Sequence, residues 1–527
     1  MAITGAYDEQ VVQRMLEMCH PATPWWRRLW QPGTALLARE LLEAGDPAMS
    51  ASDHARDTLL AQLRERAMRD PGCGPARQRS ATGKLLPAKS ASIIRPGHSW
   101  FVLEQYTDAL RARYLTNWAS ELRKGAAVSG LSAEATSRLL LAHLLDEGCS
   151  EKFVHRWLTY HARHDSTRYQ LADLLDLLAA RLSQPAATIE VLVPLAAEVV
   201  LPRPVPAGWL TAIQARRWRA ANIPGASPMR QHGALVLTVT AHDIYAAADL
   251  ARDRVSALVN KFSLGARREL IAGNEMWLKG VPKPEPLNGS IRRVEIRSIE
   301  RREQLWSHRI PRNLEAALEL MAPLKRGPIP AAITGAWAAI EGLLIGPGDQ
   351  GKHIAAERIA LITGCAFVRA EMTSLAWAHQ RAASDQLSAD IRDAATNKER
   401  ARLAIHAASS GHLLALPREE DRNGLVRIRS LIQDPYEFVN SVTKCLDMTF
   451  AALYRQRNAL AHAGGTDAVA LHSTLSRTAP LVAAGIDRIA DAVLKEGISP
   501  LELAARAKLR LDELRGRHAA NAVDLLS

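Results

Sequence analysis

The stretch Asp434–Gly465, DPYEFVNSVTKCLDMTFAALYRQRNALAHAGG, carries the strongest structural signal in this sequence of 527 residues. Asp434 is suited to cap a helix, Pro435 to open its first turn and Glu437 to complete a capping box. Apolar residues then recur at three- and four-residue spacing on one face, namely Phe438, Val442, Leu446, Phe450 and Leu453. Two glycines close the stretch. The pattern predicts one amphipathic helix of roughly 40 Å, at 1.5 Å per residue.

The last turns of this helix are polar and contain Arg455, Arg457, Asn458 and His462. Because positions four apart are neighbours on a helix, Asn458 is expected beside His462, where it could fix the orientation and tautomer of the ring. Arg457 and His462 are five apart, about 140° around the axis. The two side chains of a single rigid helix would therefore not contact the same substrate atom. Either the arginine wraps around the helix, or two copies of the motif meet across a dimer.

The motif Arg457-Asn-Ala-Leu-Ala-His462 resembles the signature of the HEPN superfamily, an arginine followed after four to six residues by a histidine. The spacing alone is common in this chain, since four other pairs satisfy it: Arg14/His20, Arg156/His161, Arg302/His308 and Arg400/His406. Only Arg457/His462 has an Arg-Asn dipeptide, a long capped helix before it and a glycine pair after it. The upstream sequence also resembles the ApeA-like branch of the HEPN superfamily. There a helix containing AWAAIEGLL is followed by a loop and then by AAERIALITG. The resemblance covers residues 305–497.

The resemblance implies a helical bundle that pairs with a second copy to form a composite endoribonuclease cleft. His462, near the helix C-terminus, would move the proton of the 2′-hydroxyl or of the leaving 5′-oxygen. Arg457 would clamp the scissile phosphate and stabilise its transition-state charge. We expect no metal and no cofactor. Glu341 is a candidate to support these two side chains, and Arg455 a candidate to contact substrate.

Composition excludes several classes of protein. The hydrophobic fraction of 47% rules out a disordered chain, and 67 basic against 55 acidic residues give a charge of +12, which favours a polyanionic partner. The cysteines are scattered without a C-x-x-C pair, which argues against a disulfide scaffold, a zinc ribbon or an iron–sulfur cluster: Cys19, Cys73, Cys149, Cys365 and Cys445. No signal peptide or apolar run of ~20 residues is evident, so we expect a cytoplasmic protein without a membrane span.

Residues 1–185 have the three- and four-residue periodicity of helices and are predicted to form a helical N-terminal domain. The segment Arg77–Arg95 is interpreted as a loop with five basic and no acidic residues: Arg77, Arg79, Lys84, Lys89 and Arg95. It either follows a nucleic-acid backbone or is a solvated connection. Trp25, Trp26 and Trp30 lie among arginines and could stack on bases, but are expected to anchor the chain to the core.

Residues 186–303 change to the pattern of a small α/β domain. ATIEVLVPL and GALVLTVTAHD are predicted to form buried strands and RVEIRSI a half-exposed strand. Asp243 should cap a helix that stops at Gly265. The chain is then helical again, with an HEPN-like domain at 304–497 and a C-terminal helix and tail at 498–527. The fold class is therefore mainly α with a small α/β insert.

Gly346–His353, GPGDQGKH, has the glycine and lysine spacing of a P-loop. A P-loop needs Ser or Thr after the lysine and a buried strand before the loop. Here His353 follows the lysine, and AWAAIEGLLI before the loop has helical periodicity. We interpret it as a loop between helices.

The sequence therefore predicts a bacterial HEPN endoribonuclease that cleaves tRNA or other RNA to 2′,3′-cyclic phosphate and 5′-hydroxyl ends. Such architectures resemble abortive-infection or toxin effectors, in which a phage or host trigger acts through the N-terminal regions. RNA and a second copy of the chain, as a homodimer or higher homo-oligomer, are the expected partners. The alternatives are a catalytically silent HEPN subunit that binds RNA or a nucleotide, and a DNA-binding regulator.

Overall fold

The computed structural model describes residues 3–49, 51–125, 130–163, 167–225, 232–287, 292–306 and 310–527, with the side chains of 81–85 left out. The chain is mainly helical with one small antiparallel sheet, as the sequence predicted. Its N-terminal region consists of eight described helices: α1 (Ala6–Cys19), α2 (Thr34–Ala44), α3 (Asp53–Arg69), α4 (Ala76–Leu85), α5 (His98–Arg123), α6 (Ala133–Asp146), α7 (Glu151–Arg163) and α8 (Leu171–Leu182). One apolar core lies between α1 and α5–α8, and a second joins α2, α3 and α5.

The sheet has the strand order β2-β3-β1-β4-β5, with every described pairing antiparallel. Its elements are β1 (Ala187–Leu195), β2 (Trp209–Thr211), α9 (Ala212–Asn222), β3 (Gly233–Ala241), α10 (Ile244–Gly265), β4 (Glu275–Leu278) and β5 (Glu285–Pro286). Alternate residues of β1 point to opposite faces, so Val191 packs towards α10 and Leu192 towards α9. Asp243 accepts hydrogen bonds from the first amides of α10, as predicted.

The C-terminal region is a bundle around the long helix α14. Its helices are α11 (Arg297–Arg301), α12 (Arg312–Arg326), α13 (Ile329–Leu344), α14 (Ile354–Ala382), α15 (Gln386–Asp393), α16 (Asn397–Ser409), α17 (Glu419–Gln433), α18 (Pro435–Ala463), α19 (Leu471–Glu496) and α20 (Pro500–Glu513). One apolar core includes residues of α12–α20 and the C-terminal 3₁₀ turn Ala519–Asp524, together with Trp30 from the N-terminal region. Short 3₁₀ turns also occur at Trp25–Arg27, Pro47–Met49, Pro71–Cys73, Ser90–Ser92 and Gln304–Trp306.

Helix α18 is the motif helix predicted from Asp434–Gly465. The side chain of Asp434 accepts a hydrogen bond from the Glu437 amide at 2.9 Å, and Gly464 ends the helix in the left-handed conformation with φ of +60°. Four of the five predicted face residues are buried, and Phe438 is half-buried against the same core. Gly364 lets α14 approach α18 closely, because a β-carbon there would clash with the Thr443 hydroxyl.

Two predicted segments take other conformations. RVEIRSI is not a strand: Arg293 has φ of +54°, and the Ser298 amide donates to Asp487 on α19, so the segment ends as the short helix α11. The sheet uses β4, EMWL, in its place. The loop predicted for Arg77–Arg95 begins instead with α4. Gly346–His353 does connect two helices, α13 and α14, as predicted.

Helix α14 is the one described helix long and apolar enough to span a bilayer, contrary to the expectation from the sequence that no such segment is present. Within the protein, 78% of its most apolar window is buried. It carries Glu371 and His379, both completely buried. This is the pattern of a core helix of a soluble bundle.

A buried network of charges joins the N-terminal region to this bundle. Arg27 donates to Glu371 of α14 at 2.8 Å and to Asp421 of α17 at 3.0 Å. Arg427 of α17 donates to the other oxygen of Glu371 at 3.0 Å. Burial alone would raise the pKa of Glu371, but Arg427 and Arg27 outweigh it and hold that pKa below its usual value. Because Arg27 belongs to the segment of the three tryptophans, that segment anchors the two regions to each other.

Candidate functional site

The last two turns of α18 present Arg457, Asn458 and His462 at the end of a firmly held helix. Arg457 and Asn458 are half-buried, and His462 is exposed. Arg457 Nη1 donates to Asn458 Oδ1 at 3.0 Å. Asn458 is therefore held by the arginine, and the structure gives no hydrogen bond between Asn458 and His462, although their spacing places them on one face. Because the Asn458 amide holds Arg457, it leaves the His462 imidazole available to contact a ligand.

The Arg455 side chain binds to the N-terminal region and does not extend into solvent. Its guanidinium donates twice to the carboxylate of Glu40 on α2, at 2.8 and 3.1 Å, and Gln456 Nε2 donates to the same carboxylate at 3.2 Å. Glu40 is 4% exposed. A buried bidentate pair fixes the guanidinium in orientation as well as in place. In this arrangement Arg455 faces α2, so it does not offer the substrate contact considered for it.

A second glutamate of α2 holds the corner between α18 and α19. The carboxylate of Glu43 accepts the Val469 amide at 3.1 Å, and Met49 lies against Gly465. The pKa of Glu43 is raised to about 7, chiefly by burial and in addition by Glu40 and Asp467, against the lowering effect of the hydrogen bond from the Val469 amide. The turn that follows His462 is thus fixed by residues more than 400 positions earlier in the chain.

The raised pKa of Glu43 predicts that this residue's contribution to stability depends on pH. A carboxyl group whose pKa is higher folded than unfolded is better tolerated protonated, so its contribution to stability falls as the pH rises from 4.5 through 7. Glu43→Gln, which resembles the protonated form, should raise the melting temperature at pH 8 and have little effect at pH 5. Glu65→Gln on the exposed face of α3 is the control. An equal effect of Glu43→Gln at both pH values would contradict the prediction.

Glu341 does not contact Arg457 or His462, contrary to the hypothesis that it supports them. It accepts a hydrogen bond from the Trp337 indole at 2.9 Å, one turn earlier on α13, and pairs with Lys352. Trp337 in turn packs against Tyr454 of the motif helix, with 4.6 Å between ring centroids and 36° between ring planes. Among the described residues, Glu341 therefore reaches α18 indirectly, through a tryptophan that packs against it.

Asp447 lies on the motif helix, two turns before Tyr454 and three turns before Asn458. Its pKa is raised to about 6, chiefly by burial and in addition by Glu357, against the lowering effect of His353 in the glycine-rich loop. The ring of His353 lies 5.4 Å from that of His54 on α3. A lone aspartate at position 447 of an amphipathic helix gives no sequence signal, because its partners are distant in sequence.

The five basic residues of Arg77–Arg95 do not share one environment. Arg79 donates to the Gly74 carbonyl at 2.7 Å, and Arg95 pairs with Asp46 at 3.2 Å. Arg77 and Lys89 are exposed, and the side chain of Lys84 lies outside the described residues. The observed contacts are those of a structural connection, while nucleic-acid binding by the exposed pair stays a prediction.

Within the described residues, His379, Asp385 and His412 bring three potential metal-ligand atoms within 4.8 Å of one another. The Ala415 amide donates to His379 Nδ1 at 2.9 Å. His379 Nε2 must then carry the ring proton, and it donates to Asp385 Oδ1 at 3.1 Å. A protonated nitrogen cannot bind a metal, which leaves two ligands. The cluster instead fastens the end of α14 to the start of α15.

No family model, curated protein or solved structure matches this chain. The HEPN resemblance stays a prediction that rests on the motif of α18 and its sequence context.

Proposed function

We propose that this protein is a metal-independent HEPN endoribonuclease whose reaction centre is the C-terminal end of α18. The observation that carries the proposal is the placement of a partly buried Arg457 and an exposed His462 on the final turns of one capped 29-residue helix. A cationic clamp and an imidazole free of protein hydrogen bonds in the described structure are the two groups that phosphodiester transfer requires.

In the proposed reaction, His462 takes the proton of the 2′-hydroxyl, and the resulting oxygen attacks the adjacent phosphorus. The bond from phosphorus to the 5′-oxygen breaks, and a protonated imidazole supplies the proton of that leaving group. Arg457 stabilises the extra negative charge on the phosphoryl oxygens. Asn458 positions Arg457 through its 3.0 Å hydrogen bond. DNA would not react because it lacks the attacking hydroxyl.

Two copies of the motif would complete the site. Arg457 and His462 diverge by about 140° around the helix axis, so the histidine of one copy is better placed to meet the arginine of another than its own. The exposed position of His462 leaves room for such a partner. The proposed assembly is a homodimer or higher homo-oligomer that acts on RNA, tRNA among the candidates.

The N-terminal region would restrain this centre. Glu40 holds the two residues directly before Arg457, and Glu43 holds the turn after His462. Movement of α2 would therefore reposition the motif from both sides. The biological role proposed by analogy is a cytoplasmic bacterial effector of abortive infection, in which a phage or host trigger releases the restraint.

The test is incubation of the purified protein with total RNA in EDTA, followed by mapping of fragment ends. We expect cleavage products with 5′-hydroxyl and 2′,3′-cyclic phosphate ends, and no cleavage of DNA. Extract of phage-infected cells supplies a trigger if the resting protein is inactive. RNA that stays intact with and without the extract would contradict the nuclease and favour a silent RNA-binding subunit.

A further inference from the structure

The outer face of α7 carries cationic and aromatic side chains. The buried side of this helix consists of Val154, Leu158 and Ala162. On the opposite side Arg156, Tyr160 and Arg163 follow one another at four- and three-residue spacing, and all three are exposed. Together these three residues form the α7 stripe. Lys152, one turn earlier, is exposed as well but already pairs with Glu285 at 2.8 Å, so it is not part of the stripe.

Packed rings support the stripe from one side. The ring of His161 lies 4.2 Å from that of Trp157 and 5.4 Å from that of Tyr169, which precedes α8, measured between ring centroids. It lies 5.2 Å from the ring of Tyr160. This packing holds Tyr160 in place while 56% of the residue stays exposed. A tyrosine that is exposed and already positioned loses little conformational entropy on binding, and tyrosines are enriched at protein interfaces.

The two arginines of the stripe are not neutralised by carboxylates of the described chain. Glu151, the only acidic residue of α7, pairs with Arg28 at 2.6 Å. Among the described residues, Arg156 and Arg163 have no carboxylate within ion-pair distance, and Arg156 lies 5.8 Å from the centre of the Tyr245 ring. Guanidinium groups form bidentate hydrogen bonds with carboxylates, so both arginines are available to an acidic partner.

The accessible ring surfaces distinguish an acidic protein segment from RNA as the partner. Single-stranded RNA binds by stacking its bases on open aromatic faces. Beside the stripe, the Arg181 guanidinium lies 4.6 Å from the centre of the Phe153 ring, and the Lys152 ammonium lies 4.2 Å from that of Tyr245. Both rings are otherwise half-buried, as is Trp157. Carboxylates need no such face, so an acidic segment fits the stripe better than RNA does.

The spacing of the stripe specifies the partner further. Arg156 and Arg163 are seven residues apart on one helix, roughly 10 Å at 1.5 Å per residue, and Tyr160 lies between them. A helix packed along α7 presents the same spacing when it has carboxylates at i and i+7 and an apolar side chain at i+3 or i+4. Such a helix is amphipathic and acidic.

We propose that the α7 stripe binds an acidic amphipathic helix of a partner protein, with its carboxylates on Arg156 and Arg163 and an apolar side chain on Tyr160. Ser150, directly before α7, donates to Asp243 at the start of α10 at 2.8 Å. The partner would therefore bind where the N-terminal region meets the α/β domain. Binding stands without the proposed nuclease, whereas any effect of the partner on RNA cleavage rests on that proposed function.

Fluorescence anisotropy with the full chain tests the proposal. The probe is a labelled helical peptide with glutamates at i and i+7 and leucine at i+4 in an alanine and glutamine background, compared with a scrambled peptide of the same composition. We expect a dissociation constant below about 100 μM for the first peptide and binding about tenfold weaker or less for the scrambled one. Absence of binding, or equal binding of the two peptides, would overturn the proposal. Binding of poly(U) RNA to the stripe in place of the peptide would overturn it in favour of RNA.

Charge reversal locates the site. Arg156→Glu combined with Arg163→Glu should weaken binding about tenfold or more, and a peptide with lysines in place of both glutamates should then bind this variant more tightly than wild type. Arg217→Glu combined with Arg429→Glu, at two exposed helical arginines of α9 and α17, is the matched control. Peptide binding that survives reversal of the stripe would overturn the site. A change in oligomeric state on reversal, seen by light scattering, would identify a second copy as the occupant and overturn the proposal. His462→Ala should bind the peptide as wild type does, which separates this proposal from the nuclease.

Discussion

Replacing His462 by alanine is expected to lower RNA cleavage by roughly 10²- to 10⁴-fold, the usual contribution of a positioned proton-transfer group. The side chain is exposed at the end of α18, so its removal should leave the fold intact. The measurement is the initial rate of fragment appearance in EDTA, with circular dichroism as the check on folding. His406→Ala is the matched control, because His406 is also exposed on a helix and also follows an arginine at a motif-like spacing.

Arg457→Ala should lower the rate of RNA cleavage by a similar amount, roughly 10²- to 10³-fold, because no guanidinium then stabilises the negative charge of the transition state. Arg457→Lys keeps the charge without the planar fork and should recover only part of the rate. If His462→Ala and Arg457→Ala both retain wild-type cleavage while the RNA ends stay those expected, the reaction centre lies elsewhere. If His406→Ala reduces the rate as much as His462→Ala, the loss is not specific to the motif.

A mixing experiment tests whether the site is composite. Arg457→Ala and His462→Ala proteins are each expected to be inactive, but a mixed dimer keeps one arginine and one histidine. After the two are unfolded together and refolded, activity should return to a fraction of wild type set by the share of mixed dimers. No recovery, with dimers present by light scattering, would show that one chain must supply both residues.

The motif helix was predictable because its information is local. Asp434 and Gly464 mark its ends, and the apolar spacing sets its buried face, so neither depends on distant residues. The contacts of Arg455 were not predictable, since Glu40 lies 415 positions away and nothing in the spacing connects them. Glu341 was misjudged for a related reason: periodicity placed it on a helix near α18 but could not choose among Trp337, Arg457 and His462 as its partner.

RVEIRSI shows how a local pattern can be overridden. Its alternation fits a strand, but Arg293 takes a left-handed conformation and Ser298 is bound by Asp487 on α19. The place beside β1 on the side opposite β3 is taken by β4, and β5 pairs with β4 in turn. The charge network was hidden in the same way, because Glu371 sits within an apolar helix where a glutamate has no obvious partner in sequence.

The largest effect on stability is expected from Glu371→Ala. This carboxylate is 0% exposed and receives hydrogen bonds from both Arg27 and Arg427. Removing it leaves two buried guanidinium groups without their shared partner, and breaking a buried pair in this way typically costs about 3–5 kcal/mol. Arg27 would keep Asp421 at 3.0 Å, which limits the loss on its side. The measurement is urea unfolding followed by tryptophan fluorescence, since Trp30 lies beside the network.

Glu419→Ala is the control, because Glu419 pairs with Arg422 on the exposed face of α17 and such pairs contribute about 0–1 kcal/mol.

Gly424→Ala tests the same network without removing a charge: a β-carbon there would lie 2.6 Å from Glu371 Oε1, so α17 must move away. The stability difference between wild type and either network variant should narrow as the pH falls. The lowered pKa of Glu371 gives stability that is present above pH 4.5 and lost as the pH falls through the folded pKa. A Glu371→Ala protein as stable as Glu419→Ala would mean that water enters the network and that the two regions are held together by their apolar contacts alone.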